Sequence, residues 1–292
     1  MNDTVNDTLF EQHRPLLIGL AYRLLGSMWD AEDAVQDAYL RWMRADRADV
    51  RDPRAFLITV VTRIALDELR SARVNRAAYV GPWLPEPAPT DALGPLDTVE
   101  QRDTVAFATV HLMERLTPPE RAVFVLREAF ALPYDEIAPI LGSSAASCRQ
   151  LHRRAQRHLT DGRGRFHPSQ QERARLLAGF LDAAAGGDMS GLSRLLADDV
   201  VAWSDGGGVV RAARREIVGR HKVMAFWIGL FRKYDTGPRD TVDVNGESGI
   251  RMVIGRQDVL LTVDISGAHR IRGIYAVLNP SKLGPVIPQN RR

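Results

Sequence analysis

"LPYDEIAPILGSSAASCRQLHRRAQRHL", residues 132–159, divides at Gly142 into a short apolar and acidic segment and a longer basic one. Beyond the glycine, Cys148, Leu151, Ala155 and Leu159 recur at the three- and four-residue spacing of one helical face, while Arg149, Gln150, Arg153, Arg154 and Arg157 fall largely on the other. A short helix, a glycine turn and an amphipathic second helix are the spacing of a helix-turn-helix. Its outer face, which Ser144 and Ser147 begin, offers hydroxyl, amide and guanidinium groups to phosphates and base edges, and its inner face holds the angle to the first helix. A solvated basic helix has the same pattern, so the neighbours of this stretch must decide between them.

Upstream, the helical texture continues from about Thr98 to Gly162, and "TPPE" at 117–120 is a capping box with Pro118 at the favoured first helical position. Residues 8–78 also read as helix throughout. "FEQHRPLLIGLAYRLLG" places Phe10, Leu17, Leu20 and Leu24 inward and stops at Gly26. Asp30 is the expected N-cap of "AEDAVQDAYLRWM", whose stripe of Ala34, Val35, Ala38, Tyr39 and Trp42 leaves the carboxylates outside it. Asp52 and Pro53 open a third helix with Phe56, Val60, Ile64 and Leu69 inward, and past Leu69 it turns basic in "RSARVNR". Between the two helical blocks, "YVGPWLPEPAP" at 79–89 belongs to a Pro-rich linker that can be neither helix nor strand. Its Tyr79, Trp83 and Leu84 are an apolar load that a plain linker would not carry.

Downstream the texture changes at Ser169. A second capping box, "SQQE", opens the helix "RARLLAGFLDAAAGG", another follows at "SGLSRLLAD", and a third is expected near residues 212–234. "DTVDVNG", "GIRMVIGR", "DVLLTVDIS" and "HRIRGIYAVLN" then alternate like strands between Gly, Asn and Asp turns. Helices followed by an antiparallel run of strands make this part α+β, so the chain is multidomain with all-α parts first.

The chain has 292 residues, 45% hydrophobic and 26% charged, ordinary for a globular protein of two or three domains. Its apolar runs fall short of the roughly 18 residues of a membrane span, and the acidic N-terminus is unlike a secretory signal. A single cysteine, Cys148, excludes an internal disulfide and a Cys-based zinc site, which fits a reducing, cytoplasmic setting. No metal or cofactor is expected. The net charge of +3 does not mark a nucleic-acid binder: residues 1–165 hold 21 Arg and no Lys against 23 acidic residues. The local run from Arg149 to Arg165, six Arg and one Asp, is more telling.

In order along the chain, "DAEDAVQDAYLRWM", "DPRAFLITVVTRIALDELRSAR" and "LTPPERAVFVLREAFALPYDEIAPILGSSAASCRQLHRRAQRHL" resemble the extracytoplasmic-function sigma factors of bacterial RNA polymerase. The resemblance implies sigma region 2 at 1–78, a linker at 79–97, and region 4 with its helix-turn-helix at 98–166. Core polymerase and promoter DNA are the implied partners, region 2 reading the −10 element and region 4 the −35 element. It implies that Asp30, Glu32, Asp33, Gln36 and Asp37 dock on the polymerase clamp helices. Arg47, Arg51 and Arg54 belong to the segment matching the loop that captures a flipped −10 base, and Arg63, Arg70, Arg73 and Arg76 follow the phosphates.

The linker motif "YVGPWLPEP", "DGGG" at 205–208 and "NPSKL" at 279–283 resemble the subgroup with a SnoaL-like C-terminal extension, often called the SigJ type. That places a SnoaL-like, nuclear-transport-factor-two-like cone at 167–292. It implies that Trp83 and Leu84 pack on the cone near Asp205, Gly206, Gly207 and Gly208. The family commonly has a basic residue after the glycines, where this chain has Val209. The cone would act as a built-in regulator with no separate anti-sigma factor, and a small-molecule ligand of it stays open. Related cones house cyclases and isomerases, for which Asp205, His221 and Asp264 are the candidate acids and bases and Trp203, Trp227 and Tyr275 the walls. "DGGG" is no phosphate loop, since it lacks the following Lys-Ser/Thr. The expected function is that of a sigma factor and not an enzyme. The rivals are a one-component ligand-responsive regulator, which leaves the acidic helix at 30–43 idle, and a cone-fold isomerase or cyclase with a regulatory head.

Overall fold

The structure, a computed structural model, describes residues 2–45, 50–160 and 168–286, without the side chains of 2–6, 72–77 and 160. It separates into two compact units: residues 1–77 with 88–161, and residues 78–87 with 162–292.

The first unit is all helical. It contains α1 (Asn2–Leu25), α2 (Met28–Arg44), α3 (Pro53–Ala77), a 3-10 turn (Thr90–Leu93), α4 (Val99–Val105), α5 (Phe107–Met113), α6 (Pro118–Glu128), α7 (Tyr134–Leu141) and α8 (Ala145–Thr160). A single apolar cluster runs through it, from Leu17, Trp42 and Val61 of the first three helices to Phe124, Ile137 and Cys148 of the later ones. The N-cap of α2 is Ser27, whose hydroxyl accepts from the Asp30 N–H, so Asp30 lies in the first turn and is not the cap expected from its type. The chain leaves α1 at Gly26, and Ser27, already extended, comes first to the cap position. Asp52 and Pro53 open α3 as expected, the Asp52 carboxylate accepting from the Ala55 N–H at 3.1 Å. Glu120 reaches back to the Thr117 N–H at 3.0 Å and so fixes the start of α6.

The second unit is α+β: α9 (Gln170–Gly186), α10 (Met189–Leu195), β1 (Leu196–Asp205), β2 (Ile217–Val218), α11 (Arg220–Lys233), β3 (Thr236–Val244), β4 (Glu247–Ile254), β5 (Gln257–Ile265), β6 (Ile271–Val277) and α12 (Pro280–Leu283). The sheet order is β2-β1-β6-β5-β4-β3, antiparallel except where β1 lies parallel to β6. Val259, Leu261, Val263 and Ile265 share a core with Leu177, Phe180, Val223 and Trp227 of the helices. Leu260, Thr262 and Asp264 therefore face the other way. The third helix begins at Arg220, eight residues later than its sequence pattern indicates, because Ile217 and Val218 pair with Ala202 and Val201 as β2.

Candidate nucleic-acid interface

In the helix-turn-helix, α7 stops at Gly142 in the left-handed conformation, φ 59°, where a Cβ would be strained. α8 then holds Cys148 and Ala155 fully buried, and Arg149, Gln150, Arg153, Arg154 and Arg157 exposed on one side. Ser144 accepts from the Ser147 N–H at 3.1 Å, a local cap of α8. Three residues outside the expected set fix the angle between the helices. His152, buried, sets one ring nitrogen 2.8 Å from the Glu128 carboxylate and the other 3.0 Å from the Tyr134 hydroxyl. A carboxylate only accepts, so Nε2 carries the proton of the bond to Glu128. The Arg127 and Arg149 guanidiniums lie 5.1 and 5.6 Å from the centre of the Tyr134 ring, so this tyrosine braces the base of the outer face. His152 lies four residues from Cys148 on the inner face, which is the spacing signal for it.

On α2, Glu32, Asp33, Gln36 and Asp37 are exposed together and Asp30 is partly so. Trp29, Leu40 and Met43 are exposed on the same helix. These three large apolar side chains share the exposed side of α2 with the carboxylates and are missed when only the carboxylates are followed. Among the expected −10 arginines, Arg51 and Arg54 are exposed and Arg47 lies outside the described residues. Arg70 is exposed and pairs with Asp67 at 2.7 Å. Arg73 and Arg76 are on α3, with side chains outside the described set. Arg63, expected on phosphates, here donates to the Pro139 and Ile140 carbonyls at the end of α7, at 3.0 and 3.2 Å.

The linker segment has its partner in the second unit. Asp205, with no exposed surface, accepts from the Tyr79 hydroxyl at 2.6 Å, the Leu84 N–H at 2.9 Å, the Gly207 N–H at 3.0 Å and the Lys282 ammonium at 2.7 Å. Lys282 also donates to the Leu84 carbonyl at 2.6 Å, and its ammonium stands 4.2 Å from the Trp83 ring centre and 4.8 Å from that of Tyr79. Asn279 donates to the Tyr79 oxygen at 2.9 Å. Burial first, then the hydrogen bond to Asp205 and its charge, push the Tyr79 phenol well above the ordinary tyrosine range, so it remains a donor. Gly207 has φ 62°, and a Cβ there would lie 2.4 Å from the Asn279 amide. "DGGG" and "NPSKL" thus meet at Tyr79, Trp83 and Leu84, and the cation facing Asp205 is Lys282. Val209 is 75% exposed.

The candidate catalytic residues do not converge. Asp205 is occupied as described, Asp264 pairs with Arg272 at 2.6 Å, and His221 is exposed in the first turn of α11. Trp203 stacks on Tyr275 at 5.0 Å and 3°, whereas Trp227 packs on Phe180 across the opposite face of the sheet. Among the described residues no cluster of His, Cys, Asp and Glu is arranged to hold a metal ion, and no helix is long and apolar enough to cross a membrane.

Two helical regions, one with an exposed acidic helix face and the other with a helix-turn-helix whose outer face is basic, in one chain with an α+β unit, are the make-up of a transcription factor of sigma type. The Sigma-70 region 2 family matches residues 9–74 and the Sigma-70, region 4 family residues 107–159. The chain is 42% identical over 249 residues to the ECF RNA polymerase sigma factor SigJ of Mycobacterium tuberculosis, covering 82% of this chain and 78% of that one. It is 38% identical over 277 residues to the probable ECF RNA polymerase sigma factor SigI of the same species, covering 94% and 93%. The crystal structure of Mycobacterium tuberculosis SigJ superposes with a TM-score of 0.78 at 34% identity, over 95% of this chain and 98% of that one. The chain belongs to the extracytoplasmic-function sigma factors of RNA polymerase, a family of transcription initiation factors and not an enzyme class. Such factors bind core polymerase and promoter DNA.

Proposed function

We propose that α8 reads the −35 element, that region 2 holds the −10 element through its arginines, and that the exposed face of α2 docks on core polymerase. The C-terminal unit regulates this activity through the linker, in place of a separate anti-sigma protein. The observation that carries the regulatory reading is the buried Asp205 carboxylate, which gathers Tyr79, Leu84 and Lys282 around itself. A linker held at Tyr79 and at both backbone groups of Leu84 constrains the two helical regions on either side of it, and reading two promoter elements together requires a defined separation of those regions. Trp83, half-buried with the Lys282 ammonium over its ring, adds to the hold.

The test compares transcription from one promoter by the parent, Trp83→Ala and a chain truncated after Phe166. Restraint by the C-terminal unit predicts higher activity on truncation, and support by it predicts loss. In either case Trp83→Ala moves in the direction of truncation. Equal initiation by all three overturns the regulatory reading and leaves the sigma activity standing.

A further inference from the structure

Between region 2 and region 4, inside the first unit, lies a cavity of about 460 Å³ whose walls come from four pieces of chain. Leu16 and Arg23 line it from α1, Arg54 from the start of α3, Leu93 from the 3-10 turn, and Arg127 and Phe130 from the end of α6 and the turn after it. Of these residues only Arg54 has a proposed part in promoter reading, and the rest of the cavity is accounted for neither by that nor by polymerase docking.

Arg23 is the unusual member. It is 2% exposed, and its guanidinium donates to the Thr104 hydroxyl at 2.9 Å, the Gly19 carbonyl at 2.7 Å and the Gln101 carbonyl at 3.1 Å. All three acceptors are neutral, and among the described residues no carboxylate pairs with it. Burial lowers its pKa to about 10, so it stays charged at neutral pH although desolvated. A buried cation without a counter-ion is costly and favours an anion brought from outside. Three of its five N–H groups are occupied, which leaves one on each terminal nitrogen. Arg54 is exposed and has no hydrogen bond or ion pair among the described residues. The two carboxylates at the rim do not fill this role. Glu128 accepts from His152 and Gln156, and Glu100 is exposed in the first turn of α4, facing the positive end of that helix. Leu16, Leu93 and Phe130 supply apolar walls, with the Arg23 guanidinium 5.8 Å from the Phe130 ring centre.

We propose that this cavity binds a small organic anion, its carboxylate or phosphate-ester head on Arg23 and Arg54 and its apolar body against Leu16, Leu93 and Phe130. The volume is within the range of small-molecule sites, about 300–1,000 Å³. A ligand seated there touches both promoter-reading regions and holds them together. The site is independent of whether the C-terminal unit regulates, and its test reads binding alone.

The experiment is calorimetric titration of the full chain with 1-naphthyl phosphate and 1-naphthoate, against 1-naphthol and inorganic phosphate as body and head alone. One of the two anions should saturate at one per chain, with the fragments at least about tenfold weaker, and the better of the two identifies the head group. Arg54→Glu should weaken that binding about tenfold or more, and Arg54→Lys should restore part of it. Arg54 is exposed and unpaired among the described residues, so neither change threatens the fold, which circular dichroism verifies. Absence of saturation by both anions below about 10 mM, or equal binding by parent and Arg54→Glu, overturns the site.

Discussion

Asp205 gathers four donors on one buried carboxylate, and only Lys282 among them brings a charge. Replacing Asp205 by Ala leaves the Lys282 ammonium, 11% exposed, without its counter-ion and frees the Leu84 N–H and the Tyr79 hydroxyl. Breaking a buried pair in this way costs on the order of 3–5 kcal/mol. We expect Asp205→Ala to lower the unfolding midpoint of the C-terminal unit and to speed hydrogen exchange at the Leu84 amide. Unchanged exchange at Leu84 would mean that the linker is held by packing alone. The resemblance set Trp83 and Leu84 beside "DGGG", but the donors that Asp205 collects, Tyr79 and Lys282 among them, were not visible in the sequence. Tyr79 and Leu84 are 126 and 121 residues from Asp205, and nothing in local pattern says which donors a buried carboxylate will collect. Arg23 was hidden for the same reason: it reads as one more surface arginine on an amphipathic helix until Thr104 and Gln101 are brought against it.

The elements whose ends are set locally were the legible ones. Thr117 with Glu120, Asp52 with Pro53, and Gly142 each act within one turn of chain, and α6, α3 and α7 begin or end where those residues stand. α11 was not legible at its start, since β2 takes residues 217–218 by pairing with a strand that local periodicity does not reveal. The recognition-type helix α8 sets Arg149 and Arg153 four residues apart on its exposed side. A bidentate base contact is worth roughly 1–3 kcal/mol of discrimination, and a phosphate contact weakens every sequence alike. Arg153→Ala should relax preference at one base of the −35 element in a promoter-variant binding assay. Arg149 leans on the Tyr134 ring and should act more as a brace, its Ala variant losing affinity evenly. On α2, Gln36→Ala with Asp37→Ala should leave thermal stability near that of the parent, because both side chains are off the buried stripe, and should weaken capture of core polymerase. Retention of full capture would reassign that face.

At the scale of the whole molecule, regions 2 and 4 share one core in the first unit, and the seam between them is rich in arginine. Arg121 donates to the Arg23 carbonyl at 3.0 Å and pairs with Glu114, Arg23 reaches Thr104 and Gln101, and Arg63 holds the last turn of α7. A cation at a helix C-terminus satisfies carbonyls that have no partner within the helix and is favoured by the helix dipole. If region 4 leaves this position to read the second of the two proposed promoter elements, the Arg63 contacts are among those that break. They are partly exposed, so their loss costs only about 1 kcal/mol, a cheap latch compared with the buried Arg23 and Arg121 contacts. Released from α7, Arg63 is a free guanidinium on the helix whose basic end continues through Arg70, Arg73 and Arg76, and we expect it to take up a phosphate. Arg63→Ala therefore has two separable effects. In the free protein, amides of α7 should exchange faster. In the polymerase holoenzyme, promoter affinity should fall, and the slope of log affinity against log salt should become shallower by about one contact. Faster exchange with an unaltered salt slope would leave Arg63 as a brace of the closed unit only, and an altered slope without faster exchange would remove it from the latch.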